Sequence, residues 1–315
     1  MAILLILYFL LSVTSIKLLI PTLKKLFIDN PNKRSSHKES TPSGAGMVFV
    51  CLTALSSFHT SFITPLVCLP LAIIGFIDDH KDVSPLIRIF FQIITVSALV
   101  FLSPLIRSNW SSNSGFIFSI LIIAIVFIGT LFINIFNFID GLDGLLALTM
   151  SVILITASIF INQNLLFLSA SLLGFLTLNW SPARVFMGDG GSTFLGSIFV
   201  GIVLESLNIQ QAMSVVLLAS PLIADCTICI IRRYINRQSL FKAHKLHLFQ
   251  RLHQAGWSHS KVSISYGLCI AALSLASIYT NIFTMILISL IILYIGIWLD
   301  KNIAVPFNKA NLHKV

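Results

Sequence analysis

The chain has 315 residues, of which 57% are hydrophobic and 10% charged, and it carries a formal net charge of +9. Soluble domains hold about 25% charged residues, so this composition excludes a water-soluble globular class and indicates a polytopic, all-α membrane protein. The cation excess alone would suit nucleic-acid binding, but the placement of the cations argues against that partner.

Apolar stretches that approach the roughly 20 residues needed to span a bilayer fall at about 2–20, 45–60, 62–77, 86–106, 116–136, 144–162, 165–180, 193–208, 212–231, 263–281 and 282–299. They predict about 10–11 transmembrane helices in a single domain covering 1–315, without internal repeats. The second stretch is diluted by Ser56, Ser57 and His59. The first has no basic n-region and no small-residue cleavage site before its lysines, so it reads as a retained span. With an odd number of spans and the N-terminus outside, all of the 20 Lys and Arg except Lys17 and Arg107 reach the inner side. Basic inner loops are the rule for membrane proteins. The expected topology is therefore an outside N-terminus and a cytoplasmic C-terminus.

The carboxylates segregate as well. Asp78, Asp79 and Asp82 follow the third stretch, Asp140 and Asp143 the fifth, and Asp189 the seventh. All three groups share the inner face in this topology. Solvated helix ends would explain any single group, but three on one face repel one another unless a cation joins them. Mg²⁺ binds through a few carboxylates together with substrate phosphates.

The loops between the stretches carry the chemistry. Loop one, "DNPNKRSSHKESTPSGAGM", combines Lys33, Arg34, His37 and Lys38 with a Gly/Ser-rich turn, which suits an anionic phosphate. Loop two, "FIDDHKDVSP", sets two aspartates side by side, so that their pKa values separate and one can accept a proton. A helix cap would need only one of them. In loop three, "NIFNFIDGLDG", Asn134, Asn137, Asp140 and Asp143 recur every three residues. Gly141 and Gly144 permit a tight turn and close approach of backbone to ligand. Loop four, "NWSPARVFMGDGGST", places Asp189 among glycines just before a helix, as in a phosphate or metal cradle. Loop five, from Arg232 to Val262, holds many cations with His244 and His247. Two histidines without a third ligand make a poor zinc site, and neutralising a diphosphate is the better use of these cations. Cys226 and Cys229 have metal or redox spacing, but on an apolar helix they read as small apolar side chains. Asp225, late in the ninth stretch, is expected to pair with a cation at its inner end.

Taken in order, "DDHKD", "NxxNFIDGLDGL", "NWSPARVFMGDGGS" and "RRxxxxxSLFKAHKLHLFQRL" resemble the polyprenyl-phosphate N-acetylhexosamine-1-phosphate transferase family over about residues 29–260. The form is closest to the bacterial members that initiate O-antigen. The resemblance implies transfer of a sugar-1-phosphate from a UDP-N-acetylhexosamine to undecaprenyl phosphate, with release of UMP, at the bacterial inner membrane. By motif it implies Asp78 as the base with Asp79 beside it, His247 as a further catalytic residue, and Asp189 as the ligand of Mg²⁺, for which Mn²⁺ could substitute. Asn179 and Phe186 would contact uracil, and Asn134, Asn137, Asp140 and Asp143 would line the nucleotide pocket. Arg34, Lys38 and His244 would contact phosphates. Expected partners are the UDP-sugar, the lipid phosphate, membrane lipid and optionally a second copy of the chain. Two departures stand out. The family's three nearly adjacent histidines become His247, Phe249 and Gln250, and "TPSGAG" replaces the "TPTMGG" of lipid I synthesis, which disfavours the large peptide-bearing sugar. A transporter would place its acids at the midplane in paired inverted halves, and a CDP-alcohol phosphotransferase would carry a single run of aspartates. Neither pattern is found.

Overall fold

The computed structural model describes residues 1–30, 40–110, 115–239 and 244–310. Arg34 and Lys38 lie outside the described residues. In chain order the elements are α1 (Ala2–Leu26), a short antiparallel pair β1 (Ile28–Asp29) and β2 (Thr41–Pro42), α2 (Met47–Ser56), α3 (Thr64–Lys81), α4 (Pro85–Leu102), α5 (Pro104–Trp110) and α6 (Phe116–Ile139). There follow α7 (Leu145–Phe160), α8 (Leu165–Asn179), α9 (Gly188–Glu205), α10 (Ile209–Leu218), α11 (Ser220–Ile235), α12 (Leu248–Gln254), α13 (His259–Tyr279), α14 (Ile282–Asn302) and α15 (Phe307–Ala310).

Every apolar stretch in the sequence is helical. By length and composition, however, only α1, α4, α6, α13 and α14 can each cross a membrane alone, and α10 with α11 forms a further broken span bent by 69°. Among the described residues five helices, or six with the bent pair, thus meet the length and composition of a span; α2, α7 and α8 are shorter apolar helices, and α3 and α9 carry charged residues at their ends, Asp78, Asp79 and Lys81 in one and Asp189 and Glu205 in the other. Proline sets two of the breaks. Pro104 ends the 86–106 stretch at Ser103, and Pro221 stands at the bend between α10 and α11. A proline ring disfavours helical geometry in the residue before it, and Ser103, before Pro104, is extended (ψ 120°).

The burial pattern is that of a protein in lipid. Ile3, Phe116 and Ile117 are more than four-fifths exposed (83%, 81% and 82%), on helices whose outward faces carry almost nothing polar. In water such a belt would aggregate; in a bilayer it is the solvated face. The interior is built around α3, α7, α8 and α9. Helices approach closely there through small residues. A Cβ on Gly174 of α8 would stand 2.6 Å from the Phe9 carbonyl of α1, and one on Gly75 of α3 would stand 2.6 Å from the Asp189 carbonyl at the start of α9.

That last contact positions the site. α3 and α9 run antiparallel, with the end of α3 against the beginning of α9. At their other ends Thr64 donates to the Glu205 carboxylate. The stretch after β2 lies along loop four, where Phe186 N–H donates to Pro42 (2.8 Å), Ala45 N–H to Phe186 (3.1 Å) and Gly46 N–H to Met187 (3.1 Å). Loops one, two, three and four therefore meet at one end of the bundle.

Candidate active site

A pocket of about 550 Å³ opens at that end, within the size range of small-molecule sites. Asp79, Asn137, Asp140, Asp143, Asn179, Phe186 and Asp189 all line it, with Gln250 and His259 closing one side. With Asp29, five aspartates thus line one cavity.

Each arrives by a local rule. Asp79 sits in the last turn of α3, where its Oδ1 accepts the Asp189 N–H (2.8 Å) and so caps α9. Its Oδ2 is buried without a partner. Asp189 lies in the first turn of α9, at the positive end of the helix dipole. Asp140 is the residue on which α6 ends. Gly144, with φ +72°, supplies the left-handed turn that starts α7, and its N–H donates to Asn179 Oδ1 (3.0 Å).

The electrostatics follow from the crowding. Burial and the neighbouring Asp189 push the Asp79 carboxyl up to about 7. Burial, then Asp189 and Asp79, push Asp140 up to about 8. Asp189 rises to about 6 because burial and the nearby Asp78 outweigh the Arg88 guanidinium, which favours its charged form. Arg88, in the first turn of α4, bridges Asp78 (2.6 Å) and Asp189 (3.4 Å). In the orientation that satisfies its neighbours, the Asn137 amide donates to Ser192 Oγ (2.7 Å) and Asp189 Oδ1 (3.3 Å) and accepts from Arg88 Nη2 (3.2 Å).

Asp143 behaves differently. Burial would raise it, but the His259 imidazole 3.0 Å away and the Ala183 N–H hold it below the usual carboxylate range. His253 Nδ1 lies 2.8 Å from the Trp257 carbonyl and so donates to it, which leaves His253 Nε2 to accept from His259 Nε2 at 3.3 Å. The resulting line runs from Asp143 through His259 and His253 to the backbone.

Hard oxygens converging in excess of cations suit a divalent metal such as Mg²⁺. Asp140 and Asp189, crowded together in that lining, are the carboxylates that such an ion would neutralise.

Not every sequence-predicted residue reaches the pocket. Asp78 is turned away from it, accepting from the Val83 N–H (2.7 Å) and paired with Arg88. Asn134 exchanges hydrogen bonds with Gln92 and donates to the Thr130 carbonyl. Asn179 lines the pocket, but its amide is engaged by Gly144 N–H and the Val185 carbonyl. His244 and His247 pack beside α11, outside the pocket lining. Two loop-five cations serve the fold rather than a diphosphate: Arg232 and Arg251 both bind Asp300 of α14. Asp225 has the His247 ring 3.7 Å away as its ion-pair partner. It accepts from the N–H groups of Leu248 (2.7 Å) and Phe249 (3.1 Å) and from the Tyr266 hydroxyl (2.6 Å), and so anchors the start of α12.

Arg88, Gln250 and His259 were not singled out by the sequence. His259 had one signal, a histidine after Ser258 in "GWSHSKV", with Ser258 capping α13 by accepting from Lys261 N–H.

Residues 61–207 match the model of glycosyl transferase family 4. Over that segment the chain is similar to glycosyl transferases of the polyprenyl-phosphate N-acetylhexosamine-1-phosphate transferase kind. It is similar to a probable undecaprenyl-phosphate N-acetylglucosaminyl 1-phosphate transferase of Bacillus subtilis, at 27% identity over 80% of this chain and 78% of the relative. A Thermotoga maritima undecaprenyl-phosphate alpha-N-acetylglucosaminyl 1-phosphate transferase is 27% identical over 86% and 89% of the two chains. A phospho-N-acetylmuramoyl-pentapeptide-transferase of Carboxydothermus hydrogenoformans is 29% identical over 84% and 93%. The chain is a transferase and a multi-pass protein of the bacterial inner membrane.

Proposed function

We propose that this chain transfers an N-acetylhexosamine-1-phosphate from a UDP-sugar to undecaprenyl phosphate, releasing UMP and leaving the sugar on polyprenyl diphosphate. The observation that carries the reading is the meeting of Asp79, Asp140 and Asp189 in one pocket, at the end of a bundle whose sides are lipid-facing. A lipid phosphate and a water-soluble donor can both reach such a place. The names of the relatives support the acceptor and the transferred group. The placement of the cations supports a cytoplasmic pocket.

In the reaction an oxygen of the lipid phosphate attacks the sugar-bearing phosphorus of the donor. The bond from that phosphorus to the bridging oxygen breaks, and the bridging oxygen leaves with UMP. Phosphoryl transfer is governed by positioning and charge neutralisation. Mg²⁺, held by Asp189 and Asp140, would neutralise the diphosphate oxygens. Of the adjacent aspartates, Asp79 faces the cavity and is the group that takes the proton from the lipid phosphate; Asp78 fixes Arg88. With its carboxyl pushed up to about 7 by burial and Asp189, Asp79 is suited to proton transfer near neutrality. Asn137 and Arg88 hold Asp189 in place. Phe186 offers a ring for the uracil, and the Asp143–His259 pair bounds the nucleotide end.

The test is product formation by the purified chain in nanodiscs with Mg²⁺ and undecaprenyl phosphate. A panel of radiolabelled UDP-N-acetylhexosamines is compared with UDP-N-acetylmuramoyl-pentapeptide and a CDP-linked donor. Organic-extractable label matched by UMP, from a small UDP-N-acetylhexosamine, is expected. Label from the CDP-linked donor alone, or uptake of donor into vesicles without UMP, would overturn the reading.

A further inference from the structure

On the far side of loop three from the carboxylate pocket, α11 and the turn before α12 bring three soft or borderline ligands together. Cys229 Sγ and ring nitrogens of His244 and His247 all lie within 4.8 Å of one another. Cys229 and His247 are each 3% exposed. The His244 and His247 ring centroids are 5.0 Å apart. His247 Nδ1 is buried with no partner in good hydrogen-bond geometry, and the Asp225 carboxylate stands 3.7 Å from it. The surroundings are apolar, with Leu246 and Ala310 packed on Cys229.

We propose that Cys229, His244 and His247 bind a zinc-class dication that fastens the start of α12 to α11. A thiolate with two imidazoles is a donor set for Zn²⁺ and a poor one for Mg²⁺, which takes oxygen. Bond lengths of about 2.3 Å to sulfur and about 2.0–2.1 Å to nitrogen put tetrahedral ligand atoms about 3.3–3.6 Å apart, so small rotamer changes close the observed spacing. Asp225 is the carboxylate that orients His247, as outer-shell acids do for ligating histidines. The Cys229 thiolate and Asp225 together balance the charge of the ion.

Such an ion has a consequence for the pocket. α12 carries Gln250 into the cavity lining and sets the Phe249 ring where a Cβ on Gly141 would stand 3.1 Å from it. Tying α12 to α11 therefore fixes one wall of the pocket. The inference does not depend on the transferase reading, since none of the three ligands lines that pocket.

The experiment uses the untagged full chain, purified in detergent without chelators. Zinc is measured by elemental analysis and competition with a chromophoric chelator, and Co²⁺ is then substituted. Equimolar zinc is expected, with a thiolate-to-cobalt charge-transfer band and the intense visible bands of a tetrahedral site. Cys229→Ala should abolish that band, and Cys229→Ala and His244→Ala should each weaken zinc binding at least about tenfold, while Asp225→Asn should weaken it roughly 10–100-fold. If Cys229→Ala does not fold, the wild-type cobalt spectrum and His244→Ala decide. No zinc retained against the chelator, a cobalt spectrum without thiolate character, or wild-type affinity in a folded Cys229→Ala or in His244→Ala would each overturn the proposal, leaving an adventitious ion only.

Discussion

Asp79 Oδ1 accepts the backbone N–H of Asp189 at 2.8 Å, while its Oδ2 is buried beside the same residue with no partner. One oxygen holds the junction of α3 and α9; the other faces the cavity. Asp79→Asn keeps an acceptor for the Asp189 N–H and removes the charge. It should therefore fold, melt higher than wild type in the absence of divalent ions, and lose activity by roughly 100-fold or more, the usual weight of a general base. Raising the pH should restore part of the rate, because the lipid phosphate then ionises unaided. Asp78→Asn should show no such rescue. Identical pH–rate profiles for the two variants would remove Asp79 from the proton-accepting role.

Stability should depend on pH and metal together. The carboxyls of Asp79, Asp140 and Asp189 are raised from 3.8 to about 7, 8 and 6. A folded-state pKa above the unfolded one means that the folded chain holds protons more tightly. That contribution is complete below about pH 4 and is lost as pH rises through about 6 to 8. The metal-free protein should melt progressively lower across this window, and Mg²⁺ should restore more of the loss at about pH 8 than at about pH 5. A Mg²⁺ shift equal at both pH values would contradict metal binding by Asp140 and Asp189.

Arg88 bridges Asp78 and Asp189. A lysine cannot span two carboxylates as a planar guanidinium does, so Arg88→Lys should not substitute for it. Arg88→Gln removes the cation that competes with a metal for Asp189. It should lower the Mg²⁺ concentration needed for half-maximal rate while cutting kcat about tenfold or more through lost positioning. If the Mg²⁺ requirement rises instead, Arg88 does not oppose the metal.

The Asp143–His259 contact of 3.0 Å predicts a donor-side effect. Removing a buried partner of a charged hydrogen bond costs about 1.5–3 kcal/mol, roughly 10–150-fold. His259→Ala should raise the KM for the UDP-sugar by that order with the KM for lipid phosphate little changed. The reverse pattern would move the nucleotide to the other end of the pocket.

Much of this arrangement was legible in the sequence, and the reason is local. Each apolar stretch carries its own helical signal, and Gly144 needs its positive φ whatever surrounds it. Acids after the third, fifth and seventh stretches share one end if successive helices alternate in direction, and Asp79, Asp140, Asp143 and Asp189 do meet. What could not be read is set by packing between distant segments. Asp78 and Asp79 are neighbours, but a helix turns each residue about 100° from the last, so one faces α4 and the other the cavity. Arg88 and His259 acquire meaning only from partners on other helices. His244 and His247 gain their third neighbour, Cys229, because α11 lies alongside. The lengths of α2, α7 and α8, and the charged ends of α3 and α9, are what an apolar run with blurred ends does not reveal.

The most direct test of the carboxylate pocket as the transfer site is UMP release by wild type and Asp189→Ala under the same conditions, in nanodiscs containing undecaprenyl phosphate, with Mg²⁺ and a small UDP-N-acetylhexosamine, after thermal melts establish that both are folded. Metal-dependent release by wild type and none above background by folded Asp189→Ala is the expected result. Comparable release by both, or release by wild type that persists in the presence of excess chelator, would contradict it.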